Sequence, residues 1–222
     1  MEAVPQHVGF IVDGNRRWAR ARGLPTIEGH RRGLQVVKKV LRWCLKKGVK
    51  YVSFYIFSTE NWSRSEEEVS YLMKMVKAEM KKLAAELHKE GVKLAVLGSA
   101  ERVDPKIMED IAEAEALTAE NTNGTACVLF NYGGQQEIVD AANKIEGEVT
   151  IEKLRENLYH PEVPDVDMVV RTSGEERISG FMLWRAAYAE MMFVEKNFPD
   201  MTEEDVDGVM EEFASRGRRF GK

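Results

Sequence analysis

The residues best suited to chemistry lie in residues 8–23, close to the start of the sequence. A short apolar run, residues 8–12, is long enough for one buried strand and stops at Asp13, Gly14 and Asn15, residue types that favour turns. The carboxylate of Asp13 can hold a hard cation such as Mg²⁺, and Gly14 lets backbone N–H groups approach a ligand closely. The turn is followed by Arg16, Arg17, Trp18, Arg20 and Arg22. Because guanidinium groups match phosphate oxygens in bidentate geometry, the stretch predicts a magnesium–diphosphate site, with a plain strand-to-helix turn as the alternative.

Length, composition and charge limit the kind of partner that this site can serve. The 222 residues predict a single domain over residues 1–222, with ordinary globular composition of 44% hydrophobic and 31% charged residues. The net charge of −5 means that the surface as a whole does not attract a polyanion. The arginine-rich residues 16–32 therefore indicate a small anionic ligand, and no nucleic acid is expected as a partner.

The cysteines and the lengths of the apolar runs indicate the compartment. Cys44 and Cys127 both lie in apolar runs, which favours buried free thiols in a reducing environment over a disulfide. No apolar run reaches the roughly 18 residues that a membrane-spanning helix needs, and the sequence shows no signal peptide. We expect a cytoplasmic protein without a transmembrane segment that can still contact a membrane surface peripherally.

Strand patterns alternate with helix patterns along the whole sequence. Strands are predicted at residues 8–12, 49–57, 92–97, 125–130, 168–170 and 191–194. Helices are predicted at residues 34–45, 66–90, 105–117, 135–143, 151–158 and 181–189, and after Thr202. This alternation predicts an α/β domain with a mainly parallel central sheet flanked by helices, in which ligands bind beyond the carboxyl ends of the strands.

Four polar loops follow predicted strands, and the topology should bring them to one edge of the sheet. They are the Asp13 turn and residues 58–64, 131–134 and 171–179. The converging side chains would be those of Asp13, Arg17, His30, Asn61, Arg64, Arg171, Arg177 and Ser179. P-loop, dinucleotide-binding and zinc-ligand patterns do not occur in the sequence, so the site predicts a phosphate or diphosphate substrate. Residues 69–87 carry an apolar stripe that is either plain core or the wall of an apolar tunnel.

These motifs resemble, in order and over nearly the whole chain, those of the cis-prenyltransferases, the undecaprenyl diphosphate synthase family. The matching residues lie in residues 7–33, 57–64, 131–134 and 171–179, with Trp184, residues 188–190 and the terminal residues 218–221. The resemblance implies a single-domain fold with an apolar tunnel and a homodimer. It also implies magnesium-dependent, sequential cis-condensation of isopentenyl diphosphate with an allylic prenyl diphosphate.

The resemblance also implies roles for individual residues. Asp13 and Glu190 would hold Mg²⁺, and Asp13 and Asn61 would be catalytic. The allylic diphosphate would be bound by Gly14, Asn15, Arg16 and Arg17, with His30 close by. Arg171, Arg177 and Ser179 would bind isopentenyl diphosphate, and Asn61 and Arg64 would position or activate substrate. The predicted substrate-binding residues also include Trp18, Arg22, Ser58, Thr59, Glu60, Trp62 and, reaching a neighbouring subunit, Arg219 and Gly221.

Two other functions and three departures from the family pattern stay open. The chain could be a non-catalytic partner subunit of a heteromeric enzyme, or an irregular or short-chain prenyl diphosphate synthase. Thr26 stands where many relatives have arginine, and Gly180 where asparagine is common. Ile56 replaces the alanine of long-chain bacterial relatives, which predicts a short- or medium-chain product if its side chain narrows the tunnel.

Overall fold

The computed structural model describes residues 3–216, which form alternating strands and helices. The strands are β1 (His7–Ile11), β2 (Tyr51–Ser58), β3 (Val92–Leu97), β4 (Gly124–Tyr132), β5 (Met168–Thr172) and β6 (Glu190–Val194). The helices are α1 (Asn15–Arg20), α2 (Thr26–Lys46), α3 (Glu66–Lys89), α4 (Pro105–Thr118), α5 (Gly134–Asn143), α6 (Ile151–Asn157) and α7 (Glu203–Ser215). Short 3₁₀ helices occupy Thr59–Ser63 and Phe198–Asp200.

The six strands form one sheet in the order β3-β4-β2-β1-β5-β6. The pairs β1–β5, β5–β6 and β3–β4 are all parallel, so the prediction of an α/β fold with a parallel sheet flanked by helices is confirmed. The contacts divide the described chain into two compact units. Unit 1 holds residues 3–54, 165–179 and 185–216, and unit 2 holds residues 55–164 and 180–184. Within residues 3–216, no helix is both long and apolar enough to cross a membrane.

The core of unit 1 is built on strands that are buried along their whole length. Every residue of β1 and β5 is buried, as expected for central parallel strands that are covered on both faces. The ring of Phe10 stacks on that of Phe54 with centroids 5.6 Å apart. Helix α2 contributes the free thiol of Cys44, and burial raises the pKa of this group to about 12. The second free cysteine, Cys127, is also buried, which confirms the prediction of buried free thiols.

The core of unit 2 is centred on β4, whose nine residues are all buried. Helix α3 covers this unit unevenly along its length. Met80 and Leu87 in its second half are buried, whereas Val69, Met73 and Val76 in its first half are only partly buried. The predicted apolar stripe is therefore mixed along its length: Leu72, Met80 and Leu87 are plain core, whereas Val69, Met73, Val76 and Leu83 are partly open.

Helix α2 begins at Thr26, earlier than the pattern from residue 34 onwards indicates. Two glycines in its first part obscure the helical pattern, and the packing explains why they are there. A Cβ atom on Gly29 would lie 2.0 Å from the Asn15 carbonyl oxygen, and one on Gly33 would lie 2.5 Å from Asn15 Oδ1. The glycines let α2 lie directly against the start of α1, and they place His30 inside a helix.

The predicted helix at residues 181–189 is wrong, because these residues form a series of turns. Ser179, Gly180 and Met182 have φ values of 48°, 76° and 37°, which lie in the left-handed region and are incompatible with a regular right-handed helix. The apolar side chains of this segment satisfy a helical pattern because Phe181 and Met182 are fully buried, although the backbone is not helical.

Candidate functional site

The Asp13–Gly14 turn is fixed by the residues that end β5. The Thr172 hydroxyl accepts a hydrogen bond from the Asp13 N–H (3.1 Å) and donates one to the Asp13 carbonyl (2.8 Å). Gly14 has φ 93°, and a Cβ atom here would lie 2.3 Å from Asn197 Oδ1 and 2.6 Å from Ser173 Oγ. Only glycine fits this position, so the conformation of the turn depends on direct backbone packing.

The Asp13 carboxylate is partly exposed and surrounded by donors. Oδ2 accepts a hydrogen bond from Arg171 Nη2 at 2.9 Å, and Oδ1 accepts one from the Gly14 N–H at 2.6 Å. Arg17 Nη2 lies 3.4 Å from Oδ1. Burial acts to raise the pKa of Asp13, but the hydrogen bonds from Arg171 and Gly14 and the charges of both arginines hold it below its usual value. The group is therefore a carboxylate at neutral pH.

Arg171 connects Asp13 to the loop that follows β5. Its guanidinium donates to the Arg177 carbonyl and, at 2.8 Å, to Ser179 Oγ. Two buried side-chain polar atoms within residues 3–216 have no hydrogen-bond partner, Arg171 Nε and Asn15 Oδ1. Both belong to the predicted site, and unsatisfied buried groups of this kind call for a functional explanation.

Glu175 links the two arginines that flank this group. Its Oε1 lies 3.1 Å from Arg17 Nη2, and its Oε2 accepts a hydrogen bond from Arg177 Nη1 at 2.5 Å. Arg17 also donates to the Ser173 carbonyl at 2.9 Å. The structure thus brings six predicted site residues of unit 1 together, the charged Asp13, Arg17, Arg171 and Arg177 with the uncharged Gly14 and Ser179.

Trp18 and Arg22 are bound to Asp200. The Trp18 indole N–H donates to Asp200 at 2.7 Å, and Arg22 forms an ion pair with the same carboxylate at 3.1 Å. Arg22 also stacks over the Trp18 ring, 4.5 Å from its centroid. Both side chains thus stabilise α1 beside the Asp13 turn. The predicted roles of Trp18 and Arg22 as substrate contacts stay predictions. The same holds for Arg16, which is partly buried, and His30, which is buried.

A second group of predicted residues lies in unit 2, in the 3₁₀ helix after β2. Ser58 and Asn61 form a capping box, in which Asn61 Oδ1 accepts the Ser58 N–H at 3.1 Å. This bond uses the acceptor of the Asn61 amide and leaves its N–H donors as the groups suited to an anion. Farther along, Arg64 pairs with Glu68 at 2.9 Å. The predicted residues of this loop are therefore held by local hydrogen bonds and one ion pair.

Trp62 is fixed by three different contacts within unit 2. Its indole N–H donates to Asn131 Oδ1 at 2.7 Å, its ring meets Phe57 edge to face at 5.2 Å, and Arg102 lies 4.8 Å above its face. Asn131 in turn donates to the carbonyls of Ser99 and, at 2.7 Å, of Glu101. Asn131 is 2% exposed and has φ 49°, a left-handed conformation that asparagine tolerates better than most residues.

Thr59 and Glu60 line a cavity of about 340 Å³ that lies in unit 2. The start of α5 forms another of its walls, where Gly134 donates its N–H to the Gly180 carbonyl at 3.0 Å. The lining residues are Thr59, Glu60, Gly133, Gly134, Gln135, Gln136, Gly180 and Leu183. The cavity combines backbone amides and polar side chains with one apolar residue.

Within a single chain, the two predicted metal ligands, Asp13 and Glu190, lie far apart. Glu190 is level with Met168 and Val8 in the sheet register, whereas Asp13 lies beyond the other end of β1. At about 3.3 Å per residue, the five residues from Val8 to Asp13 separate these levels by roughly 16 Å. Glu190 instead pairs with Arg216 at 3.0 Å. The remaining predicted residues, Arg219 and Gly221, lie outside the described residues.

Several residues of the site were not predicted from the sequence. Thr172, Ser173 and Asn197 hold the Asp13 turn, Glu175 links two arginines, and Asn131 anchors Trp62. Asn131 and Thr172 lie at the ends of buried strands, and Ser173 and Glu175 lie in the loop after β5, so their place at a strand end is the signal that could have identified them. Asn197 carries no such signal, because only the register of β5 with β6 brings it to Ser173.

Comparison with known proteins agrees with the sequence motifs. The Prenyltransf family model, which describes undecaprenyl diphosphate synthase, matches residues 11–221. An isoprenyl transferase of Neisseria gonorrhoeae is 44% identical over 99% of this chain and 90% of its own length, and one of Thermotoga maritima is 42% identical over 98% and 97%. The solved structure of lavandulyl diphosphate synthase from Lavandula x intermedia, in complex with dimethylallyl diphosphate, is 28% identical over 99% of both chains with a TM-score of 0.92. The chain belongs to the undecaprenyl diphosphate synthase family of prenyltransferases.

Proposed function

We propose that this chain is a prenyl diphosphate synthase that condenses isopentenyl diphosphate with an allylic prenyl diphosphate, repeatedly and with cis double bonds. The observation that carries the proposal is the charge cluster around Asp13, in which an ionised carboxylate lies among Arg17, Arg171 and Arg177. Each cycle breaks the allylic C–O bond, forms one C–C bond and releases diphosphate and a proton. Arginines beside the leaving group stabilise the negative charge that develops there.

The donor set around Asp13 fits Mg²⁺. Magnesium is usually held by one or two carboxylates together with water and substrate phosphates, so one exposed carboxylate edge is sufficient. Within residues 3–216, no group of three or more histidine, cysteine or acidic side chains is arranged to hold a metal. Asp13, with 31% of its side chain exposed, is the residue that we assign to the ion. When bound, Mg²⁺ would neutralise charge on the diphosphate.

The two diphosphates are assigned to opposite sides of Asp13. We assign the allylic diphosphate to the Gly14 turn and Arg17, because the turn leads directly into α1 and places the 48% exposed Arg17 side chain beside Asp13. We assign isopentenyl diphosphate to Arg171, Arg177 and Ser179, because Arg171 donates hydrogen bonds to the Arg177 carbonyl and to Ser179 Oγ. The unpartnered Nε of Arg171 supports this assignment, since a phosphate oxygen would satisfy it.

The predicted residues of unit 2 include amide and apolar groups together with one arginine. We assign Asn61 to substrate positioning through its amide N–H donors, with Arg64 beside it in the sequence. The partly exposed Val69, Met73 and Val76 of α3 suit a hydrocarbon chain, which supports the apolar tunnel. Such a surface also tolerates an allylic cation while it excludes water.

A homodimer is proposed from the outer strand of unit 1. Strand β6 is at the edge of the sheet and has Phe193 38% exposed, and Tyr188 just before it is 74% exposed. Unpaired strand edges with exposed large apolar side chains are typical of interaction surfaces. A metal role for Glu190 would therefore require a second copy of the chain. We place this enzyme in the cytoplasm, where its free thiols stay reduced, with peripheral membrane contact through its lipid product.

Incubation of the purified chain with Mg²⁺, an allylic diphosphate and labelled isopentenyl diphosphate tests the proposal. We expect a ladder of labelled products that differ by one five-carbon unit. A single product of one condensation would favour the second candidate, a short-chain synthase, which the fold shared with lavandulyl diphosphate synthase supports. Complete absence of incorporation would contradict both and favour a non-catalytic partner subunit.

A further inference from the structure

The Glu175 carboxylate lies between two arginines that the proposed function assigns to different diphosphates. Its two oxygens contact different residues, Oε1 with Arg17 at 3.1 Å and Oε2 with Arg177 at 2.5 Å. Arg17 belongs to α1, directly after the Asp13 turn, whereas Arg177 belongs to the loop after β5. One acidic side chain is therefore the counter-ion of both positions.

The backbone holds Glu175 in this place. Ser173 and Gly174 have φ values of 80° and 68°, so two successive left-handed residues turn the chain sharply at the end of β5. The Gly174 N–H donates to the Val194 carbonyl at 3.0 Å, and a Cβ atom on Gly174 would lie 2.7 Å from Glu195 Oε2. Glu175 is the first residue after this constrained turn, so its carboxylate starts from a fixed position.

The contacts of Glu175 are of a kind that a diphosphate can replace. A carboxylate and a phosphate both offer a guanidinium negatively charged oxygen acceptors. The side chains of Arg17 and Arg177 are 48% and 61% exposed, and ion pairs with this exposure are weak. A diphosphate carries more negative charge than one carboxylate, so it can compete with Glu175 for either arginine.

We propose that Glu175 is an internal anion that occupies the arginines of both diphosphate sites until the substrates arrive, and thereby weakens both sites together. The inference rests on the proposed function, which assigns Arg17 to the allylic diphosphate and Arg177 to isopentenyl diphosphate. A benefit for the enzyme is that Arg177 has a counter-ion, and Arg17 a second one beside Asp13, when no substrate is bound. The consequence is a shared competitor, because each substrate must displace the same carboxylate.

The substitution Glu175→Gln keeps the size of the side chain and removes its charge. Because it removes the competitor from both sites, both diphosphates should bind about three- to tenfold more tightly, the effect of one or two weak ion pairs. A substitution of Arg17 or Arg177, in contrast, should weaken the binding of diphosphate, and only at the one site to which that arginine belongs. A purely structural role for Glu175 predicts weaker binding at both sites instead.

Isothermal titration calorimetry tests the inference: inorganic diphosphate is titrated into the full-length protein in the presence of Mg²⁺. The wild type is compared with Glu175→Gln, Glu175→Ala and the control Glu176→Gln, which removes the same charge from the next, exposed residue. We expect tighter binding in both Glu175 variants, unchanged binding in the control and a lower KM for both substrates in Glu175→Gln. Thermal melting confirms that each variant is folded.

The outcomes separate this inference from the proposed function. If the wild type binds diphosphate and folded Glu175 variants bind it equally or more weakly, Glu175 is not a competitor and the inference is wrong. If the control tightens binding as much as Glu175→Gln, the effect is one of net charge, which also overturns the inference. If the wild type itself does not bind diphosphate, the proposed function fails, and the inference fails with it.

Discussion

The loops after β1 and β5 differ in kind from the loops after β2 and β4. The first pair, in unit 1, is a cluster of charges in which Asp13, Arg171, Arg17 and Glu175 neutralise one another. The second pair, in unit 2, is held mainly by hydrogen bonds between neutral groups, with Asn61 capping a turn and Asn131 fixing Trp62. A charged cluster suits diphosphates, whereas a neutral, firmly held loop suits the positioning of carbon atoms.

The largest expected effect is that of Asp13→Ala. Loss of the carboxylate removes the proposed magnesium anchor, and turnover should fall by about a thousandfold, as when a stabiliser of transition-state charge is removed. The fold should be retained, because the Thr172 contacts to the Asp13 backbone do not need the side chain. Initial rates and thermal melting of the purified variant check this. Near-full activity, or equal wild-type activity in EDTA, would contradict the magnesium role.

Within the neutral region, Asn131 should contribute chiefly to stability. Asn131→Ala leaves the Trp62 N–H and the carbonyls of Ser99 and Glu101 without their partner, which should lower the free energy of unfolding by about 2–4 kcal/mol. Urea unfolding measures this difference. The control is Asn157→Ala, which removes an exposed bond within α6 and should change stability little. Equal effects of the two substitutions would show that Asn131 is not an anchor.

Product length should respond to Ile56, which is partly buried between the buried Tyr55 and Phe57. If its side chain borders the tunnel, Ile56→Ala removes an obstruction of the kind that costs about 1–3 kcal/mol when a channel is overfilled. The products separated by thin-layer chromatography should then shift towards longer chains. An unchanged product distribution would show that Ile56 is core packing.

The smallest effect concerns a charged contact inside unit 2. His160 lies 2.9 Å from Glu115 and 3.0 Å from Glu162, which also pairs with Lys93. The hydrogen bond with Glu115 raises the pKa of His160, against the effect of burial, and the contact with Glu162 adds to this rise.

Because the folded pKa of His160 is raised, its contribution to stability is complete below the ordinary histidine pKa and is lost as the pH rises through the folded value. Thermal melting across this range should show the loss in the wild type. This loss of stability with rising pH should persist in the control His88→Gln, which replaces an exposed histidine. It should disappear in His160→Gln. An unchanged pH dependence in His160→Gln would contradict this role.

Most of the fold follows from the sequence because strands and helices have different periods. Apolar runs such as that of β4, and caps such as Asp104 before Pro105, fix the type and order of the elements. The sequence could not reveal that Gly29 and Gly33 lie inside α2, because only packing against Asn15 explains them. It also could not reveal the turns at residues 180–188, where burial of Phe181 and Met182 imitates a helix.

The site was predicted in part. Asp13, Arg171 and Arg177 follow strands that can be recognised from sequence, and the structure brings them together. The role of Glu175 depends on the left-handed turn at Ser173 and Gly174, which no pattern of residue types specifies. Glu190 was predicted as a metal ligand from a motif, whereas the sheet register places it at the strand end opposite to Asp13. Motifs therefore identify which residues belong to a site, whereas the strand register and the turns determine the distances between those residues.

The most direct test of the division between a charged and a neutral region is steady-state kinetics of Arg177→Ala and Asn61→Ala, measured in parallel. Loss of one charge-assisted contact of about 1.5–3 kcal/mol should raise the KM for isopentenyl diphosphate by about ten- to a hundredfold in Arg177→Ala, with little change for the allylic substrate. Asn61→Ala should lower kcat and leave both KM values nearly unchanged. A rise in the KM for isopentenyl diphosphate in Asn61→Ala as large as that in Arg177→Ala would contradict the account.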